Sequence, residues 1–341
     1  MTAAKKKRLF SASRIFFYIL SIALFIFVVI YFTEIKKDIK LFTKVNVYWL
    51  TLALFSQGCT YFLGAIIYRK LLSLFKIDVK VTIWKLLQAS IVTLFFNQTV
   101  PSAGVSGNTF FFNFLRKRQV PVDDIIPLIC IELLTFYAGM EIIIVALVLF
   151  GFLFYKIRAL FSVVLGCGFL VYLLFGIGIG FLGRRRTISF LYNKIKSSKL
   201  FNKLFSRLKE SFPADISIDE IKSPGQFFLE NKTGTFIATL LQVCIFLADS
   251  FTIFALFWGL GIQVSIWQVA MGYVLTKIIS LLPFSPGALI LYEGGMTLFF
   301  SRMGINVGTA VVVTLLYRAL SFWLPILLGF FLYRKFQVQE A

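Results

Sequence analysis

Residues 267 to 302 read WQVAMGYVLTKIISLLPFSPGALILYEGGMTLFFSR, an apolar stretch broken at its middle by Pro283-Phe-Ser-Pro286-Gly287. Proline has no backbone N–H to give a helix, and glycine adds conformational freedom, so a helix does not run easily through this point. In hydrocarbon, the polar groups freed by such a break have nothing to bond to. Irregular backbone persists there only where protein or a water-filled cavity surrounds it. The stretch therefore predicts a re-entrant hairpin, two short helices joined at membrane depth. A second stretch, 82 to 115, carries the same kind of break at Pro101-Ser-Ala-Gly104.

Outward from these breaks lie six uninterrupted apolar segments, 15 to 33, 47 to 67, 125 to 154, 159 to 182, 233 to 262 and 306 to 332. Each approaches or exceeds the length of a crossing, about 20 residues at about 1.5 Å apiece. Composition agrees, with 59% of the 341 residues hydrophobic and 15% charged and a mean hydropathy of +0.88. The reading is an all-α integral membrane protein, a single polytopic domain over 1 to 341 with six full transmembrane helices and two oppositely oriented re-entrant hairpins. The 42 phenylalanines are expected on lipid-facing surfaces.

The net charge of +20 sits in short clusters beside the apolar segments, where it sets orientation and attracts anionic headgroups, so nucleic acid is not expected as a partner. The N-terminal Lys5 to Arg8, Arg69-Lys70, Arg116 to Arg118, Arg184 to Arg186 and Arg334-Lys335 predict a cytoplasmic membrane protein with both termini inside. Lys36, Lys37, Lys40 and Lys44 run against that assignment. Segment 184 to 232 has basic residues interleaved with apolar ones at helical spacing and is expected to lie flat on the inner leaflet. The chain has no histidine, which removes the usual proton shuttle and the commonest metal ligand. Its four cysteines show no CxxC spacing and read as small packing residues. No catalytic residue, metal or cofactor is expected.

Six ionisable residues fall inside apolar stretches: Glu132, Glu141, Asp249, Lys277, Glu293 and Arg318. A charge at that depth costs at least a few kcal/mol and needs a partner or water. Pro101 precedes Glu132 by 31 residues and Pro286 precedes Arg318 by 32, so each half runs break, short helix, turn, charged span. That layout is the signature of an inverted repeat, which places a substrate site near the midplane. Glu132 and Arg318 are then expected to pair across a pseudo-two-fold axis, either for function or to fix helix register. Lys277 is expected as the counter-ion of Glu293 or as an anchor for lipid phosphate, and Asp249 as a cavity residue. Glu141 lies half a turn round its helix from Glu132, so at most one of the two faces a given cavity. Gly178-Ile-Gly180-Phe-Leu-Gly183 matches a dinucleotide motif but follows no strand, and reads as close helix packing.

The stretch from Leu281 to Gly329 resembles the signature of the lysylphosphatidylglycerol synthase transmembrane family, which includes the flippase domain of the multiple peptide resistance factor. The matching features are Pro283, Pro286 and Gly287, then Glu293 with its glycines, Gly304, and Arg318 followed by Phe322-Trp323. Asn97, Pro101, Gly104 and the Glu132 helix resemble the family's first motif. Where many relatives carry Gly-Gly and an arginine after the first break, this chain has Ser106-Gly107-Asn108, so a phosphate contact there is either lost or supplied by Arg116. The resemblance implies membrane phospholipids as partners, anionic or aminoacylated, and leaves open a homo-oligomer or a partner synthase. With seven residues after Arg334, the soluble aminoacyl-transferase domain of two-domain relatives is expected to be absent.

The expected function is a flippase in which Arg318 and Lys277 hold phosphate, while Glu293, Glu132 and Asp249 face the cationic or hydroxylated part of a headgroup. The alternatives are a membrane-embedded transferase on lipid-phosphate carriers, with Glu293 or Asp249 as base, and a non-transporting subunit.

Overall fold

The structure, a computed structural model, describes residues 45–77, 81–100, 104–154, 159–182, 227–228, 230–281 and 289–339. The first predicted helix, 15 to 33, the break residues Pro101, Pro283, Pro286 and Gly287, and the basic segment from 184 to 226 lie outside the described residues.

The described elements are helices throughout, in the order α1 (Val47–Leu74), α2 (Ile83–Thr99), α3 (Val105–Arg116), α4 (Val122–Phe154), α5 (Ala159–Leu182), α6 (Lys232–Gly259), α7 (Ile266–Ser280), α8 (Leu289–Arg302), α9 (Val307–Arg318), a π-helical turn (Ala319–Trp323) and α10 (Leu324–Gln339). Five stretches are long and apolar enough to cross a membrane: α1, α4, α5, α6 and the continuous Val307–Val338. Each corresponds to a predicted span, α5 with the same ends and the others with ends shifted by several residues. The two broken stretches resolve into the helix pairs α2–α3 and α7–α8.

Local chemistry sets the helix starts. Asn46 accepts from the Tyr48 N–H at 2.9 Å to open α1, and Asn306 does the same for Gly308 at α9. Ser265 and Gln268 exchange hydrogen bonds in a capping box that opens α7. Gly104, at φ 87°, takes the left-handed conformation that lets the chain turn into α3.

α1 and α6 are each 28 residues long and lie side by side in opposite directions. At one end the Asn46 N–H donates to the Gly259 carbonyl at 2.8 Å. At the other, Gly234 is seated against Leu74. The α2–α3 pair follows the C-terminal end of α1, and the α7–α8 pair follows the C-terminal end of α6, so the two hairpins start from opposite ends of this seam. Each is then followed by a long crossing, α4 at 33 residues and Val307–Val338 at 32. The order and polarity of an inverted repeat are thus present in the fold.

Much of the outer surface is apolar, with Phe152 84%, Phe55 70% and Leu174 67% exposed, which fits lipid and not water. The phenylalanines divide between that surface and the interior. Phe111, Phe257, Phe299 and Phe300 are buried, and Phe96, Phe110, Phe114 and Phe336 form an aromatic cluster that binds α2 and α3 to α10. Bulky flat rings fill the crevice beside a hairpin whose own helices are too short to bury one another. Two cysteines, Cys167 and Cys244, are exposed, and Cys59 and Cys130 are half-buried. Gly178 and Gly180 meet no described residue within 4 Å. Close packing uses other glycines: a Cβ at Gly139 would stand 2.9 Å from the Cβ of Gln242 across the α4–α6 crossing.

Candidate functional site

A cavity of about 460 Å³ lies where the two hairpins meet the α1–α6 seam. Every described helix except α5 and α10 contributes lining. Of the five ionisable residues expected to bind substrate, Glu132, Asp249, Lys277 and Arg318 line this cavity, and Glu293 does not. Gly104 also lines it, so the first break opens directly onto the site.

Asp249 sits at the middle of the seam, 6% exposed. One carboxylate oxygen accepts from the Tyr273 hydroxyl at 2.7 Å, and the other from Gln57 and Thr60 at 3.4 Å each. Three helices, α1, α6 and α7, are joined through this side chain. A buried carboxylate held this way is stabilised in place by its donors and needs no further cation.

Arg318 is 6% exposed. Its Nε donates to Glu293 Oε1 at 2.6 Å, and its guanidinium carbon lies 4.6 Å from the centre of the Tyr292 ring and 4.0 Å from that of Phe322. Glu293 thus stands behind Arg318 and positions it, while its Oε2 is buried and takes no hydrogen bond. This corrects two expected pairings. Glu132 and Arg318 do not pair across the axis, and Lys277 is not the counter-ion of Glu293. The physical reason is proximity within one repeat: α8 and α9 are joined by the tight turn at Gly304, φ 94°, which returns the chain so that residues 25 apart face each other. Lys277 has no carboxylate within ion-pair distance among the described residues, and its ammonium lies 5.3 Å from the Tyr273 ring and 5.7 Å from the Tyr292 ring.

Glu132 lines the cavity from α4 with no hydrogen-bond partner for its carboxylate among the described residues. Glu141 does not line it, which matches the half-turn argument; both of its oxygens are buried and unpartnered. Arg116 is exposed at the end of α3 and is not among the cavity lining, whereas Asn108 is.

Sequence reasoning missed a π-helical turn directly after Arg318. The Leu324 N–H donates to Ala319, five residues back, and so leaves the Leu320 carbonyl without its helical donor. Pro325 has no N–H to offer Ser321. The two freed carbonyls are taken from the first half of the chain: Tyr61 donates its hydroxyl to Leu320, and Gln98 donates its amide to Ser321 at 3.0 Å. Three amides of the site, Gln57, Gln98 and Gln242, were also missed. Their signal was present, since an amide within a crossing is nearly as conspicuous as a charge.

These elements define a multi-pass integral membrane protein built round a buried polar cavity. The lysylphosphatidylglycerol synthase TM region matches residues 15–329, and the chain belongs to that family. It is similar to the UPF0104 membrane protein PH1989 of Pyrococcus horikoshii, 22% identical over 320 residues that cover 89% of this chain and 92% of the relative. It is also similar to the UPF0104 membrane protein MJ1595 of Methanocaldococcus jannaschii, 33% identical over 116 residues, 33% of this chain and 34% of the relative.

Proposed function

We propose that this protein translocates a phospholipid-type headgroup across the cytoplasmic membrane, the headgroup passing through the midplane cavity while its tails stay in the bilayer. The observation that carries the reading is the placement of Lys277 and Arg318 in one cavity with Glu132 and Asp249, at the junction of two hairpins that start from opposite ends of the α1–α6 seam. Lys277 and Arg318 supply the anion-binding end. Membrane depth makes such a site costly to maintain without a use.

Transport is favoured over catalysis because the two acids nearest the basic end are already engaged, Asp249 by Tyr273, Gln57 and Thr60, and Glu293 by Arg318. Neither is placed as a general base. The orientation with the C-terminus inside is supported by basic residues that share one end of the bundle. Phe114 packs on Phe336 at 5.7 Å between ring centres, which sets Arg116 to Arg118 beside Arg334 and Lys335.

The test is translocation of fluorescent anionic, zwitterionic and lysylated lipids in proteoliposomes, comparing the wild type with Lys277→Met and Arg318→Ala. Selective loss in both variants is expected. Equal movement by folded variants and wild type would sink the reading.

A further inference from the structure

Part of the cavity wall is made of polar groups that the phosphate reading leaves unused. Glu132 offers an unpartnered carboxylate. Gln242 is 4% exposed yet forms no hydrogen bond with any described residue, and it lines the cavity. Asn108, half-buried, also lines it and forms no hydrogen bond with any described residue. Asn97 uses its oxygen to accept from the Gly107 N–H at 2.9 Å, which leaves its NH₂ as a donor for the cavity. The backbone accommodates this wall: the missing side chain at Gly139 is what lets Gln242 sit at the α4–α6 crossing.

An amide drawn away from bulk water without a protein partner needs its hydrogen bonds completed by what occupies the cavity, water or a ligand. The wall mixes donors and acceptors. An ammonium group has donors only and finds no use for amide N–H groups, whereas a hydroxyl both donates and accepts and fits beside a carboxylate and an amide together. The second acid, Asp249, does not alter this balance, because three protein donors already satisfy it. The volume, about 460 Å³, accommodates more than a bare phosphate.

We propose that the headgroup carried by this site is a hydroxyl-rich phosphate, a sugar or cyclic polyol joined to the lipid through phosphate, with its hydroxyls on Glu132, Gln242 and Asn108 and its phosphate toward Lys277. The proposal rests on the translocation reading for the location of the site, but its test is binding, so the two fail separately.

Purified protein in lipid nanodiscs is titrated with glucose 1-phosphate, inositol 1-phosphate, phosphoethanolamine and inorganic phosphate, with the thermal unfolding midpoint and calorimetry as readouts. The hydroxylated phosphates are expected to bind at least about tenfold more tightly than phosphoethanolamine, about 1.4 kcal/mol. Glu132→Gln and Asn108→Ala, with Gln242→Leu as a third variant, should each erase that preference while leaving weak phosphate binding intact. A separate competition between polyprenyl-phosphate glucose and phosphatidylinositol in vesicles identifies the source of the headgroup. Equal or tighter binding of phosphoethanolamine, no binding of any phosphate by folded wild type, or a preference that survives in every folded variant would overturn the proposal. Retained preference without any lipid movement would instead overturn the translocation reading alone.

Discussion

Tyr61, in the middle of α1, donates its hydroxyl to the main-chain oxygen of Leu320, inside the π turn that follows Arg318. The bond ties the first crossing of one repeat to the charged crossing of the other at the level of the cavity. Tyr61→Phe removes the donor and leaves a carbonyl unsatisfied, at a cost of about 1–3 kcal/mol. A lower unfolding midpoint in detergent is expected, with the rest of the fold retained by circular dichroism.

Pro325 keeps the turn open by withholding an N–H from Ser321. Pro325→Ala restores that donor in competition with Gln98. The expected outcome is a helix at least as stable as the wild type but with Arg318 displaced, so that headgroup binding falls while the melting temperature does not. A fall in both together would show that the proline acts on stability alone.

Glu293 and Arg318 form a buried pair. Glu293→Gln removes this partner from the guanidinium, and breaking a buried pair from one side costs about 3–5 kcal/mol. The double variant Glu293→Gln, Arg318→Met should recover most of that stability and none of the anion binding. Denaturant titration of the two variants and the double cycle separates the structural role of Glu293 from the binding role of Arg318.

Gly107 faces the Asn97 side chain and the Thr93 carbonyl with no room for a Cβ. Gly107→Ala should force α3 away from α2 and cost about 1–3 kcal/mol. Gly178→Ala, at a site that meets open space, should change stability by less than about 0.5 kcal/mol. Parallel thermal unfolding of the two checks that Gly107 is close-packed among the described residues and Gly178 is not.

Much of the architecture was legible before any coordinates, because bilayer thickness and backbone hydrogen bonding constrain a membrane chain so strongly. The fourth predicted crossing, 159 to 182, matches α5 at both ends, and both broken stretches contain a helix pair. Four of the five expected binding residues do share one cavity. The pairings were not legible. Which acid meets Arg318 depends on how sharply the chain turns at Gly304, and sequence spacing between repeats carries no information on it. The π turn was hidden for a related reason. Pro325 in a long apolar run is compatible with a kink, a bulge or nothing visible, and only the positions of Tyr61 and Gln98 decide among them.

The bond from Gln98 to Ser321 spans 223 residues, and α10 lies along α2 with Gly329 seated on Phe95. The first hairpin therefore acquires its last partners only when the end of the chain has been made. Until then the Gln98 amide lacks its Ser321 acceptor, in a solvent that offers no hydrogen bonds. Biogenesis of this molecule has a waiting period set by the ribosome, in which the inserted N-terminal half must be shielded from lipid by something other than its own sequence.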